Sequence, residues 1–150
     1  MDRRLNSLTD HYIVCGYGRL GRSLVQNLTK ESIKVVAIDC REEAFTNCQG
    51  DIFTVTGNPT NDEILQELNL PHAKGLAAVF GNDSDNAYVI LTAKLLAPDL
   101  PIIARASTDL SASLLRKAGA ETVVCPYSTG AAKMAHVVVG NSNVTVSDQS

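Results

Sequence analysis

Three glycines and one aspartate are the residues of this sequence best suited to holding a ligand. Gly16-Tyr17-Gly18-Arg19-Leu20-Gly21 follows the apolar run Tyr12-Ile13-Val14-Cys15 and opens a segment in which Leu20, Leu24 and Leu28 recur at helical spacing. In such a strand–turn–helix the first glycine permits the tight turn. The second admits a pyrophosphate close to the main chain, and the third lets helix and strand pack closely. The amides that open the helix then face the anion. A second apolar run, Val35-Val36-Ala37-Ile38, ends at Asp39, roughly 20 residues beyond the glycines, where a carboxylate accepts ribose hydroxyls. This is the chemistry of nucleotide recognition, not of bond breaking. The competing readings are glycines that serve packing alone and an aspartate that serves a turn.

Asp39 also discriminates between ligands. A 2′-phosphate beside it meets like-charge repulsion of about 4 kcal/mol per unit charge at an effective dielectric near 20. NADP is therefore disfavoured, although Arg41 is close enough to soften the effect. At the end of a strand, in a solvent-facing crevice, Asp39 is expected to be dispensable for folding. Cys40 is its chain neighbour and a further candidate lining residue. Arg19 either pairs with phosphates or is a solvated first-turn residue. Two later loops, Gly57-Asn58-Pro59-Thr60 and Gly81-Asn82-Asp83-Ser84-Asp85-Asn86, leave the carboxyl ends of strands, where sheets of this type hold ligands. The second is superficially like a calcium loop, but Ala87 stands fifth from Asp83 and no glycine stands sixth, so the match fails. Arg105 ends an apolar strand and either reaches a phosphate or is a solvated strand end. His11, His72 and His136 are far apart, and no metal site or catalytic set is expected from them.

The elements that position these residues alternate regularly. Apolar runs recur at Tyr12–Cys15, Val35–Ile38, Ile52–Val55, Leu76–Phe80, Ile102–Ala104 and Thr122–Cys125. Most are continuous, as expected of strands covered on both faces. Between them, Thr60 with Glu63 forms a capping box ahead of Ile64, Leu65 and Leu68. Asp83 or Asp85 caps a helix that Pro98 ends, and Asp109 caps one that Gly119 stops. A last helical stretch runs from Pro126 to about Gly140. Six strands alternating with helices predict an α/β, Rossmann-like, doubly wound parallel sheet with helices on both faces. The domain spans 11–140, between an N-terminal linker (1–10) and a flexible polar tail (141–150).

Composition limits the partners. The 150 residues are 45% hydrophobic and 19% charged, with a formal net charge of −3. That balance excludes disorder and argues against nucleic acid, whose non-specific binding needs many cations. No apolar run approaches the ~20 residues of a membrane span, and the charged first ten residues lack the apolar core of a signal peptide. Cys15, Cys40, Cys48 and Cys125 form no C-x-x-C pair. They read as free thiols in a cytoplasmic protein.

From His11 to about Gly140 the sequence resembles the N-terminal lobe of RCK (KTN) domains, regulators of potassium channels and of Trk/Ktr-type potassium transporters. The resemblance lies in His11-Tyr12-Ile13-Val14-Cys15-Gly16-Tyr17-Gly18-Arg19-Leu20-Gly21, Gly57-Asn58-Pro59-Thr60 and Ile102-Ile103-Ala104-Arg105-Ala106. Its most particular part is Ala118-Gly119-Ala120-Glu121-Thr122-Val123-Val124-Cys125-Pro126-Tyr127. It implies regulation through a bound nucleotide, NAD(H) first and ATP, ADP or AMP next. Carried over by motif, Gly16, Tyr17, Gly18, Arg19, Leu20 and Gly21 would hold phosphates and Asp39 the ribose. Gly57, Asn58 and Thr60 would lie near the adenine, and Arg105 near the phosphates or the far ribose. Gly81 and Asn82 would border the site.

Departures from the family pattern are Asn58, where an aspartate is usual, and Arg105, Ser107 and Tyr127, where calcium- or divalent-responsive members carry acids. Divalent gating through those positions is not expected. The resemblance further implies a homodimer built through the apolar last helix, a higher ring assembly, and a membrane channel or transporter pore as partner. That pore would place the domain in the cytoplasm at the inner face of the plasma membrane. The residues from Asp10 are similar to the entry from a channel's inner-helix linker. The alternative reading is the cofactor-binding half of an NAD-dependent oxidoreductase. Against it, no His or Lys is paired with an acid in a recognisable catalytic arrangement.

Overall fold

The computed structural model describes residues 3–48 and 50–140, so the tail expected at 141–150 lies outside the described residues. Helix α1 (Arg3–Asn6) leads into strand β1 (Tyr12–Cys15), helix α2 (Arg19–Thr29) and strand β2 (Val35–Asp39). Strand β3 (Ile52–Thr56), helix α3 (Asp62–Gln66) and strand β4 (Gly75–Ala78) follow. Helix α4 (Asp83–Leu96), strand β5 (Ile102–Arg105), helix α5 (Asp109–Ala118), strand β6 (Thr122–Val124) and helix α6 (Pro126–Val138) complete the order. The six strands form one sheet in the order β3-β2-β1-β4-β5-β6, and all five pairings are parallel. This is the predicted doubly wound, Rossmann-like sheet.

Continuous burial explains the continuous apolar runs. Every residue of β2 is buried, because alternate side chains feed two cores. Ile13, Cys15, Val36, Ile38, Leu76 and Ala104 pack with Leu65, Val89, Ile90, Ala112 and Leu115 of α3, α4 and α5. Val14, Val35, Ala37 and Ala77 pack on the other face with Val25 of α2 and with Ala44. Chain reversal between the two halves leaves β1 and β4 adjacent, so the carboxyl ends of these strands frame the crevice where such sheets take ligands.

Several local expectations shift. The first ten residues are not merely a linker: Leu5, in α1, is 2% exposed and belongs to the core. Of the leucine stripe of α2, Leu24 and Leu28 are half-buried and pack against the core, whereas Leu20 turns outward. Gly21 and Val25 are buried there, and Leu20 is 37% exposed. The capping aspartates give way to their neighbours. Asn82 caps α4 by accepting from the amides of Ser84 and Asp85, while Asp83 turns to the amide of Ser107 at 3.0 Å. Asn61 caps α3 and Thr108 caps α5. Helix α6 ends at Val138 and buries none of its residues.

Candidate functional site

Local geometry makes two of the three glycines obligatory. Gly16 has φ of 115°, and a Cβ there would lie 2.9 Å from the main-chain carbon of Val79 and the amide nitrogen of Phe80. A Cβ on Gly21 would collide with the carbonyl oxygen of Gly16. The turn and the helix are therefore closed onto β1 and β4 with no room for a side chain. Gly18 differs, since nothing stands within 4 Å of its notional Cβ. It is the N-cap of α2, and it provides no side chain to accept the first-turn amides. Those donors, at the positive end of an eleven-residue helix, suit an anion.

Asp39 is joined to this turn directly. Its Oδ2 accepts the Tyr17 amide at 2.8 Å, and its Oδ1 accepts the Arg41 amide at 2.9 Å. The Arg41 side chain adds Nε to Oδ1 at 3.1 Å and Nη2 to Oδ2 at 3.3 Å. Burial raises the carboxyl pKa, but the Arg41 and Tyr17 donors outweigh it and hold the group below its ordinary value. Asp39 is only 3% exposed, which corrects the expectation of a dispensable surface acid. Its carbonyl accepts from the Gly57 amide at 3.0 Å, binding the end of β3 to the same corner.

A cavity of about 700 Å³ opens over the switch point, within the range of ligand sites. Of the predicted residues, Gly16, Gly18, Arg19, Leu20, Asp39, Cys40, Gly81, Asn82 and Arg105 line it, together with Arg41, Asp85 and Tyr127. Gly21 lies behind the turn. Gly57, Asn58 and Thr60 stand outside the lining, where Asn58 Oδ1 accepts from the amide and hydroxyl of Thr60. Tyr17 contributes its amide to Asp39, but its ring points away. The ring stacks on Phe45 with centroids 5.0 Å apart, under the Arg22 guanidinium. Burial and the Cys48 contact push its phenol up to about 12.

Arg105 is a positioned residue, not a solvated strand end. It is 9% exposed, donates from Nη1 to the Phe80 carbonyl at 3.1 Å, and lies 5.4 Å above the Tyr127 ring. Sequence reasoning missed the residue that organises this corner, Asn86. Fully buried in α4, it accepts from the Phe80 amide and donates to the carbonyls of Phe80 and Arg105. Its signal was present in the Asn/Asp cluster at 82–86, which spacing alone assigns to helix capping. Cys15 is buried and its thiol is pushed up to about 12, which makes it inert. Among the described residues no group of three or more His, Cys, Asp or Glu is placed to hold a metal ion.

Residues 12–126 match the TrkA-N domain family. The chain belongs to that family. This bears out the resemblance to RCK domains read from the motifs. The chain is 35% identical over 139 residues to potassium channel protein 1 of Methanocaldococcus jannaschii, matching 91% of this chain and 42% of that protein. The chain thus spans less than half the length of that relative. Among solved structures, the TrkA-N domain of the Escherichia coli inner membrane protein YbaL superposes with a TM-score of 0.80 at 29% identity, covering 87% of this chain and 98% of that one. The GsuK channel bound to NAD superposes with a TM-score of 0.72 at 28% identity, over 79% of this chain and 22% of that one. GsuK has also been solved bound to ADP. No helix among the described residues is long and apolar enough to cross a membrane.

Proposed function

We propose that this TrkA-N domain is a ligand-sensing regulatory module that binds NAD(H), with ATP, ADP or AMP as competing occupants, and controls a potassium channel or transporter pore. One observation carries the reading. The glycine-capped start of α2, the carboxylate of Asp39 and the cation Arg105 meet in one cavity at the switch point. That set offers amides to a pyrophosphate, an acceptor to a ribose and a cation to the far end of a dinucleotide. The similarity to the GsuK channel, solved with NAD and with ADP, supports the same ligands. Gly16, Gly18, Arg19 and Leu20 act on the phosphates and Asp39 on the ribose, with Cys40, Gly81 and Asn82 along the wall. Tyr17 and Gly21 hold the turn in shape. Gly57 supports the Asp39 corner through its amide from outside the cavity lining, with Asn58 and Thr60 beyond it.

The domain acts by binding and not by turnover, as a homodimer that can join a larger ring, in the cytoplasm beside its membrane partner. Dimerisation is supported by α6, on which Met134, Val137 and Val138 are each more than 70% exposed. A thermal-shift panel of NAD, NADH, NADP, ATP, ADP and AMP tests the binding reading. A ligand at 100 times its Kd adds about 2.7 kcal/mol, a rise of roughly 5–10 °C in Tm for a domain of this size. NAD(H) or an adenine nucleotide is expected to give that rise, and NADP much less. Flat curves across the panel defeat the proposal. NAD-dependent oxidation of an alcohol or hydroxy acid would favour the oxidoreductase reading instead.

A further inference from the structure

Asp39 has no acceptor position left for a ribose. An ionised carboxylate offers about four lone-pair sites, two on each oxygen. Oδ1 accepts the Arg41 amide and Arg41 Nε, and Oδ2 accepts the Tyr17 amide and Arg41 Nη2. The two main-chain donors belong to the turn and to the end of β2. The two guanidinium donors do not, for the Arg41 side chain is 53% exposed while that of Asp39 is 4% exposed. The guanidinium thus takes one site on each oxygen, which is the same demand that a vicinal diol makes with its two hydroxyls.

We propose that Arg41 is a specificity-determining residue of the nucleotide site: its guanidinium occupies the two Asp39 acceptor positions that a ribose 2′,3′-diol requires. Binding of an adenosine ribose is an exchange, in which Arg41 swings out and the diol takes its place. The exchange is feasible because the arginine stem is exposed and the main-chain donors keep Asp39 oriented throughout. It sets a threshold as well. A ligand without a free diol gains nothing by displacing Arg41, and one with a diol gains only the difference between two pairs of hydrogen bonds to the same carboxylate. Selectivity for the diol is therefore held down by Arg41 and limited by Asp39.

The inference rests on the nucleotide reading, and its test separates the two. AMP and 2′,3′-dideoxy-AMP are titrated calorimetrically into the wild-type chain, into Arg41→Ala and into Arg41→Gln, with melting curves to verify folding. Arg41→Gln keeps a polar stem without the charged fork and serves if the alanine variant folds poorly. The expected result is a preference for AMP over the dideoxy compound that is a few-fold in wild type and grows at least fivefold in the variants. A preference that stays the same, with both ligands weakened alike, would show that Arg41 holds the ligand's phosphate or base and overturns the assignment while leaving the nucleotide reading intact. Absence of binding by either ligand to any of the proteins overturns both.

Discussion

The Tyr17 amide donates to Asp39 Oδ2 at 2.8 Å, so the acid that ends β2 is part of the glycine turn after β1. Ligand recognition and local folding share this carboxylate. Asp39→Ala should therefore do two things: weaken adenine-nucleotide binding a few-fold, and leave a buried amide unpaired, at about 1–3 kcal/mol. A melting-temperature drop of roughly 3–10 °C accompanies a loss of that size. Calorimetric titration and thermal unfolding check the two parts separately. Unchanged affinity would place the ribose elsewhere.

The glycines should separate cleanly. Gly21→Ala drives a methyl group into the Gly16 carbonyl, an overpacking of main chain that costs about 1–3 kcal/mol or more. Gly18→Ala meets nothing within 4 Å and should melt close to wild type. Its new methyl group lies at the helix start, where a pyrophosphate approaches, and should weaken nucleotide binding by tenfold or more. A Gly18→Ala protein that binds normally would show that the phosphates lie away from the start of α2.

Stability should decline as the solution is acidified below about 6.5. His11 is fully buried at the start of β1, with Nε2 bonded to the Leu68 carbonyl at 2.8 Å and Nδ1 without a partner among the described residues. Burial lowers its pKa more than the Leu68 carbonyl raises it, so the folded value lies below the ordinary 6.5. The unfolded chain then binds the proton more readily, and stability present above 6.5 is lost as pH falls from there toward the folded value. Urea midpoints at pH 7.5 and 5.5 measure this. The slope should flatten in His11→Asn, and an identical slope in that variant would assign it to other groups.

The exposed face of α6 should drive self-association. Val138, 84% exposed, is a suitable probe, since Val138→Asp places a charge on the apolar helix without touching the core. Light scattering at tens of micromolar should give a dimer for the wild type and a monomer for the variant. A wild-type monomer, or a variant dimer, defeats the prediction.

Much of this architecture was readable from the chain because both its signals are local. Continuous β-branched runs mark strands covered on two faces, and the spacing from Gly16 to Asp39 fixes which strand ends meet. What escaped the sequence depends on contacts across the fold. Asp83 and Asn82 are equally good caps by type, and only the position of Ser107, on the next strand's exit, draws Asp83 away. Asn86 has no periodicity that separates it from a solvated helix residue, yet it joins two strand ends. Helix α1 is too short for any periodic signal, so the burial of Leu5 could not be anticipated. Arg41 was visible as a neighbouring charge, but its fork on Asp39 is a matter of rotamer, which spacing does not encode.

Helix α6 is held at its first turn, where Tyr127 lies beneath Arg105 and lines the cavity. Its 13 residues make a rod about 20 Å long. A tilt of about 10° at the held end carries the far end through about 3.5 Å, given a rise of about 1.5 Å per residue. A shift of the Tyr127 ring at the cavity would thus reach the far end of α6 as a displacement the size of a side chain.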